Sequence, residues 1–192
     1  MRSNYMDQKI VNTFAKLTSV YGYKGTTTKK IATEAGINES TIFRHFADKK
    51  SILNALIDQC ENEINEYEVN FELSGDPQKD IQNAVNLSQH FLEKHRSIFF
   101  ISLHENQDYP ELLNASQNII IMEKYLYRKL FQEMIKANEI PADTNVNLEV
   151  SNLLLMNLGQ VVFKFAYSKL PQNISDQDYL DNNIAKFAEH LK

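Results

Sequence analysis

The side chains with chemistry to offer gather in one run, TTTKKIATEAGINESTIFRHFADKKSIL, from Thr26 to Leu53. Its cations and hydroxyls suit a polyanion. Arg44 can donate two parallel N–H bonds to a guanine edge, Glu39 can accept from cytosine N4 or orient Arg44, and Ser40 stands beside them, so these three are read as base-contacting residues. Lys29, at a helix start, can reach a phosphate or a base edge. Thr28, Thr41, His45 and Lys49 are read as phosphate contacts, Lys49 aided by the partial positive charge of its helix N-terminus, and Thr27 completes the DNA-binding set. The bland alternative at each position is a solvated helix face.

Other chemistries find little support. His90, His95 and His104 include no i, i+4 pair and no accompanying thiol, so they are expected on the surface and not at a metal. There is no glycine-rich phosphate loop, nucleophile elbow or evident carboxylate pair, so the reading calls for no enzyme and no cofactor. Cys60 is the one cysteine and is expected to be filler, with no internal disulfide to make.

Three short helices must position the reading residues. Thr27 or Thr28 caps the first, whose apolar stripe is Ile31, Ala32 and Ala35, and Gly36 supplies the positive φ that ends it. Asn38 opens the second, which turns Ile42 and Phe46 inward while Glu39, Ser40 and Arg44 face away. Asp48 caps a third, which begins Lys49, Lys50, Ser51. A helix, a short glycine turn and a helix with an exposed polar face is the helix-turn-helix pattern.

From Ile10 to Leu53 the chain resembles the N-terminal signature of the TetR-type transcriptional repressors. The resemblance is carried by Gly22-Tyr23, Thr26-Thr27, Ile31-Ala32, Ala35-Gly36-Ile37, Thr41-Ile42-Phe43, His45-Phe46 and Lys49. It implies that the position of Lys29 touches DNA. It also places Phe43 where the family commonly has a phosphate-bonding tyrosine, so Phe43 keeps the ring and loses a contact of about 1 kcal/mol. Phe14 and Thr18 reverse the family's small and aromatic positions, a swap that conserves volume in the head core.

The net charge of −5 over 192 residues argues weakly against a nucleic acid until its distribution is seen. Residues 1 to 50 hold nine Lys and Arg against four Asp and Glu, whereas residues 51 to 192 hold eleven against twenty-one. The basic end is the proposed head, the DNA-binding domain 1–50, with a boundary inside helix four; 51–192 is the expected ligand-binding and dimerisation domain. With 43% hydrophobic residues the chain can build a core, and no charged leader or run of about 18 consecutive apolar residues is seen, so the expected location is the cytoplasm.

The whole chain reads as all-α, about nine helices. The expected spans are Met6 to Tyr21, with Gly22 as stop; the three of the head, the last continuing as helix four to about Phe71; Pro77 to His95; Ile98 to His104; Asp108-Tyr109-Pro110 to Ala137; Leu148 to Tyr167; and Asp176 to Leu191 after the breaker Pro171. Tyr67 belongs to the helix-four pattern. Leu148 to Tyr167 is apolar nearly all round, which predicts burial on both sides, the second against another subunit. The TetR resemblance implies that the last two helices form the homodimer interface, through Leu155, Gly159, Val162, Ala166, Leu180, Ile184 and Phe187. A two-fold dimer reads half-sites spaced by roughly one helical turn or a multiple of it, a pseudo-palindromic operator.

The resemblance further implies a pocket for a small-molecule effector in the C-terminal half. Phe91, Phe99, Phe100, Leu103, Met122, Tyr125, Met156 and Phe163 are its apolar candidates, of the same composition as a plain core. The expected function is a repressor released from its operator by such a ligand. The alternative is a DNA-bound regulator whose C-terminal domain recruits a protein partner.

Overall fold

The computed structural model describes residues 2–66, 71–105, 109–167 and 174–191. Among them every regular element is helical: α1 Arg2–Gly25, α2 Thr28–Ala35, α3 Glu39–His45, α4 Lys49–Asn65, α5 Pro77–Lys94, α6 Arg96–Glu105, α7 Pro110–Lys136, α8 Val146–Ala166, and a last helix, α9, built of Asp176–Asp178, a π-helical Tyr179–Ile184 and Ala185–His190. The all-α expectation of about nine helices holds. The expected positions of Tyr67, Asp108 and Pro171 lie outside the described residues, as do the side chains of Leu103 and His104.

Two compact units divide the chain. The first is Met1–Tyr67 with Lys94–Ile119, and the second is Glu68–Glu93 with Ile120–Lys192, so α6 and the first turns of α7 share a unit with the head.

In the first unit Ile10, Phe14, Ile31, Ile42, Ile52 and Leu53 form the core, with α1 packed on α2, α3, α4 and α6. Gly22 takes φ 68° inside α1 and redirects the chain at the expected stop, a backbone angle that an L side chain resists. Tyr21 follows Phe14 and Leu17 at helical spacing, which predicts its burial, but the redirection exposes it and buries Tyr23 edge-on to Phe14 at 6.1 Å. Thr18 is buried and donates its hydroxyl to the carbonyls of Phe14 and Ala15, which is how a polar residue occupies the reversed position without an unmet bond.

Helix α4 ends at Asn65 with Glu66 as C-cap, short of the expected Phe71, which stands outside any regular element. Cys60 is buried on α4, where burial and then the nearby Glu63 push its thiol up to about 12. His95 corrects the expectation of a surface histidine: it is buried, with Nε2 3.0 Å from Glu63 Oε2, and burial lowers its pKa against the pull of that carboxylate. His90 is exposed.

In the second unit α5, the later part of α7, α8 and α9 enclose Ile81, Val85, Leu126, Tyr127, Leu130, Phe131, Leu153, Ile184 and Ala188. Asp80, in the first turn of α5, is buried and accepts from the Ser74 backbone at 3.0 Å with each carboxylate oxygen. Helix α8 is long and apolar enough, by length and composition, to cross a membrane, a test that core helices also pass. It is not buried all round: Leu148, Leu155 and Phe163 are exposed while Glu149 and Asn157 are buried, because the second unit encloses one side of the helix and leaves the other bare.

Candidate nucleic-acid interface and ligand site

The reading head is fixed by caps at its ends. Thr27 accepts from the Lys30 amide at 3.2 Å, and Gly36, at φ 64°, lets its own N–H reach Thr33 O and that of Ile37 reach Ala32 O, closing α2. Asn38 stands at the N-cap of α3 without a side-chain cap bond. Asp48 and Ser51 exchange hydrogen bonds in a capping box at the start of α4.

Ser40, Phe43 and Arg44 are exposed on α3, as are Thr27 and Lys29 at the start of α2. Phe43 is 54% exposed, a ring held toward solvent on the face that carries the readers. Arg44 Nη2 donates to Thr41 Oγ1 at 3.1 Å, which aligns the guanidinium along its helix. Glu39 does not orient Arg44: its Oε1 accepts from Thr28 Oγ1 at 2.6 Å, the nearer donor across the α2–α3 turn.

Two further phosphate candidates, His45 and Lys49, also have partners within the chain. His45 Nδ1 lies 2.6 Å from Asp7 Oδ1, a link between α3 and α1. Lys49 Nζ donates to Tyr23 O at 2.9 Å and sits 4.1 Å from the centroid of the Tyr23 ring, so its ammonium braces the turn after Gly22. Lys30, not singled out by the sequence, donates to Gly25 O at 2.8 Å and stacks on Tyr21. Spacing alone gives no sign of these ties, since each closes only when α1 has folded back on its neighbours.

Residues 10–56 match the family described as bacterial regulatory proteins, tetR family. The head of the chain thus carries the signature of the TetR family. The chain is 31% identical over 108 residues to the uncharacterized HTH-type transcriptional regulator YvkB of Bacillus subtilis, a stretch that spans just over half of each, 56%. Two solved structures share the fold over nearly the whole length. The TetR-family transcriptional regulator from Cytophaga hutchinsonii covers 100% of this chain and 97% of its own, at TM-score 0.71 and 14% identity. The regulator FadR from Bacillus subtilis, solved in complex with stearoyl-CoA, covers 94% and 96%, at TM-score 0.60 and 18% identity.

The pocket candidates are distributed over both units. Phe99 and Phe100 belong to the first unit, edge-on to each other at 5.6 Å, while Phe91, Met122, Tyr125, Met156 and Phe163 belong to the second. Of these Phe91 and Met122 are buried, Met156 is half-buried, and Tyr125 and Phe163 are exposed. The interface candidates also divide. Leu155 is 69% exposed, Ala166 is exposed, and Gly159 and Val162 are half-covered, whereas Leu180, Ile184 and Phe187 are consumed by the core of the second unit.

The sequence reasoning missed a polar cluster inside the second unit. Ser88, Glu123, Tyr127 and Asn157 are fully buried. Ser88 Oγ donates to Glu123 Oε2 in a short bond, and Asn157 Nδ2 donates to Ser88 Oγ at 2.6 Å and to Tyr127 Oη at 3.0 Å. Burial pushes the Glu123 carboxyl up to about 7 against the opposing Ser88 hydroxyl, and burial followed by Glu123 drives the Tyr127 phenol well above its ordinary value. The members come from three helices, with partners 35 and 69 positions apart, so their meeting leaves no signature in spacing.

Proposed function

We propose that this protein is a sequence-specific DNA-binding transcriptional regulator, a repressor that a small-molecule ligand releases from its operator. The observation that carries the reading is α3: its apolar side is buried through Ile42, its opposite side offers Ser40, Phe43 and Arg44, and the Thr28–Glu39 bond fixes its entry to α2. Residues 1–50 are the DNA-binding domain and 51–192 the ligand-binding and dimerisation domain. Arg44, Ser40 and Glu39 face the bases, Lys29, Thr27 and Thr41 meet the backbone, and Thr28, its hydrogen given to Glu39, and Phe43, without a hydroxyl, line the same face. The bare side of α8, with Leu155 and Val162, meets a second copy, and Gly159 adds no side chain to hold the two helices apart.

A dimer so formed presents two heads to a pseudo-palindromic site in the cytoplasm. Ligand bound in the C-terminal half shifts the equilibrium toward a dimer whose heads no longer match the half-sites. That FadR, a protein of the same fold, was solved with stearoyl-CoA supports a small-molecule effector as a class.

Selection of bound duplexes from a random pool tests the reading. A palindromic consensus is expected to emerge, and the absence of any enrichment at low salt would sink it.

A further inference from the structure

Ser88, Glu123 and Asn157 come from α5, α7 and α8, and their mutual hydrogen bonds leave one chemical need unmet. Asn157 spends both amide hydrogens, on Ser88 and on Tyr127, and Ser88 spends its one hydrogen on Glu123 Oε2. Glu123 Oε1 and Asn157 Oδ1 remain, both buried acceptors with no donor, and the buried hydroxyl of Tyr179 on α9 is also unmet. The Gln89 amide nitrogen and that Tyr179 hydroxyl are buried neutral donors also left over in the second unit. Among the described residues no Lys, Arg or His stands against Glu123; its surroundings offer burial and the Ser88 hydroxyl alone. A carboxylate so buried is costly unless a positive hydrogen-bond donor meets it.

The surroundings of these atoms are apolar. Phe91 follows Ser88 by one turn, Leu126 follows Glu123, and Leu153 and Val161 flank Asn157, all of them buried.

We propose that this cluster is the recognition end of the ligand site, and that its ligand is an amphiphilic organic cation, a protonated amine on an apolar body. The ammonium donates to Glu123 Oε1 and Asn157 Oδ1, and the apolar body takes the place of side-chain contacts around Phe91, Leu126 and Val161. An anionic ligand end would meet the Glu123 carboxylate as a like charge and is excluded from this position. The inference rests on the ligand-responsive reading above and specifies its effector.

The test is calorimetric titration of the full chain with octylammonium, octan-1-ol, octanoate and octyltrimethylammonium at pH 8. Octylammonium is expected to bind at least about ten-fold tighter than the alcohol. The quaternary ion, with its charge but no N–H, is expected in between, and octanoate weakest. Glu123→Gln is expected to erase the preference for the amine while alcohol binding stays. Equal binding of amine and alcohol to the native chain overturns the proposal, whether or not the variant folds, and so does an amine preference that survives in Glu123→Gln. Release of the selected duplex is measured separately. Octylammonium binding without release sinks the ligand-responsive reading and spares the site; release by octanoate alone, with no amine binding, does the reverse.

Discussion

Thr28 donates its hydroxyl to Glu39 at 2.6 Å, so the first residue of α2 and the first residue of α3 are tied together across the glycine turn. The bond sets the angle at which α3 leaves the turn. A hydrogen bond to a charged acceptor contributes about 1.5–3 kcal/mol, less here because the pair is only part-buried. Thr28→Val and Glu39→Ala should each lower unfolding stability by about 1 kcal/mol, and the double variant should cost well under the sum. Denaturant unfolding of the four proteins measures the coupling, and fully additive losses would show that the two residues do not act together.

Arg44 and Lys49 separate two effects that their charges alone would merge. Arg44→Ala should relax base preference at one position of each half-site, with a loss of about 1–3 kcal/mol on the preferred sequence and little on others. Lys49 holds Tyr23 O and the Tyr23 ring, so Lys49→Ala should lower thermal stability as well as DNA affinity. Lys29→Ala should leave stability alone and reduce the salt slope of binding by about 1. Melting curves beside binding isotherms at several salt concentrations distinguish the three.

Glu123 makes stability fall with rising pH. Its folded value of about 7 lies above the ordinary 4.5, so between those values the folded chain retains a proton that the unfolded chain has released. Stability is fully present below pH 4.5, declines across the window and levels above 7, a loss on the order of 3 kcal/mol. His95, whose value is lowered, contributes with the opposite sign as pH rises toward 6.5. The comparison of Glu123→Gln with the native chain therefore isolates the carboxyl: the variant should be the more stable protein at pH 8, and the difference should vanish or reverse near pH 4. A constant difference across that range would contradict the assignment.

Leu155 and Ile184 should fail in different ways. Leu155→Glu places a charge on the bare side of α8 and should shift sedimentation toward monomer with little change in the fold of each chain. Ile184→Ala hollows a fully buried position and should cost about 2–5 kcal/mol of unfolding stability. An unchanged oligomeric state in Leu155→Glu would remove α8 from the interface.

Sequence reasoning reached the features whose causes are local. Thr27, Gly36 and Asp48 act within three or four residues of themselves, so residue type and position sufficed to find the caps. It failed where the cause is tertiary. Tyr21 and Tyr23 differ in burial because Gly22 turns the backbone between them, and no periodicity can register that reversal. Leu180, Ile184 and Phe187 have the composition of an interface, yet the second unit already encloses them. The Ser88, Glu123 and Asn157 cluster was invisible because its members lie on three different helices and meet only once α5, α7 and α8 have packed together.

The π-helical stretch Tyr179–Ile184 gives the last helix a property that single substitutions do not probe. Its wider turn is what puts Tyr179, Leu180, Ile184, Phe187 and Ala188 inside together, with Gln82 on α5 holding the Leu180 carbonyl at 3.0 Å. The facing of the C-terminal tail is thus counted in residues and not only spelled in side chains. Loss of one position between Asp181 and Asn183 would turn everything after it by about 100° on the helix, so natural variation in length there carries more structural meaning than variation in identity.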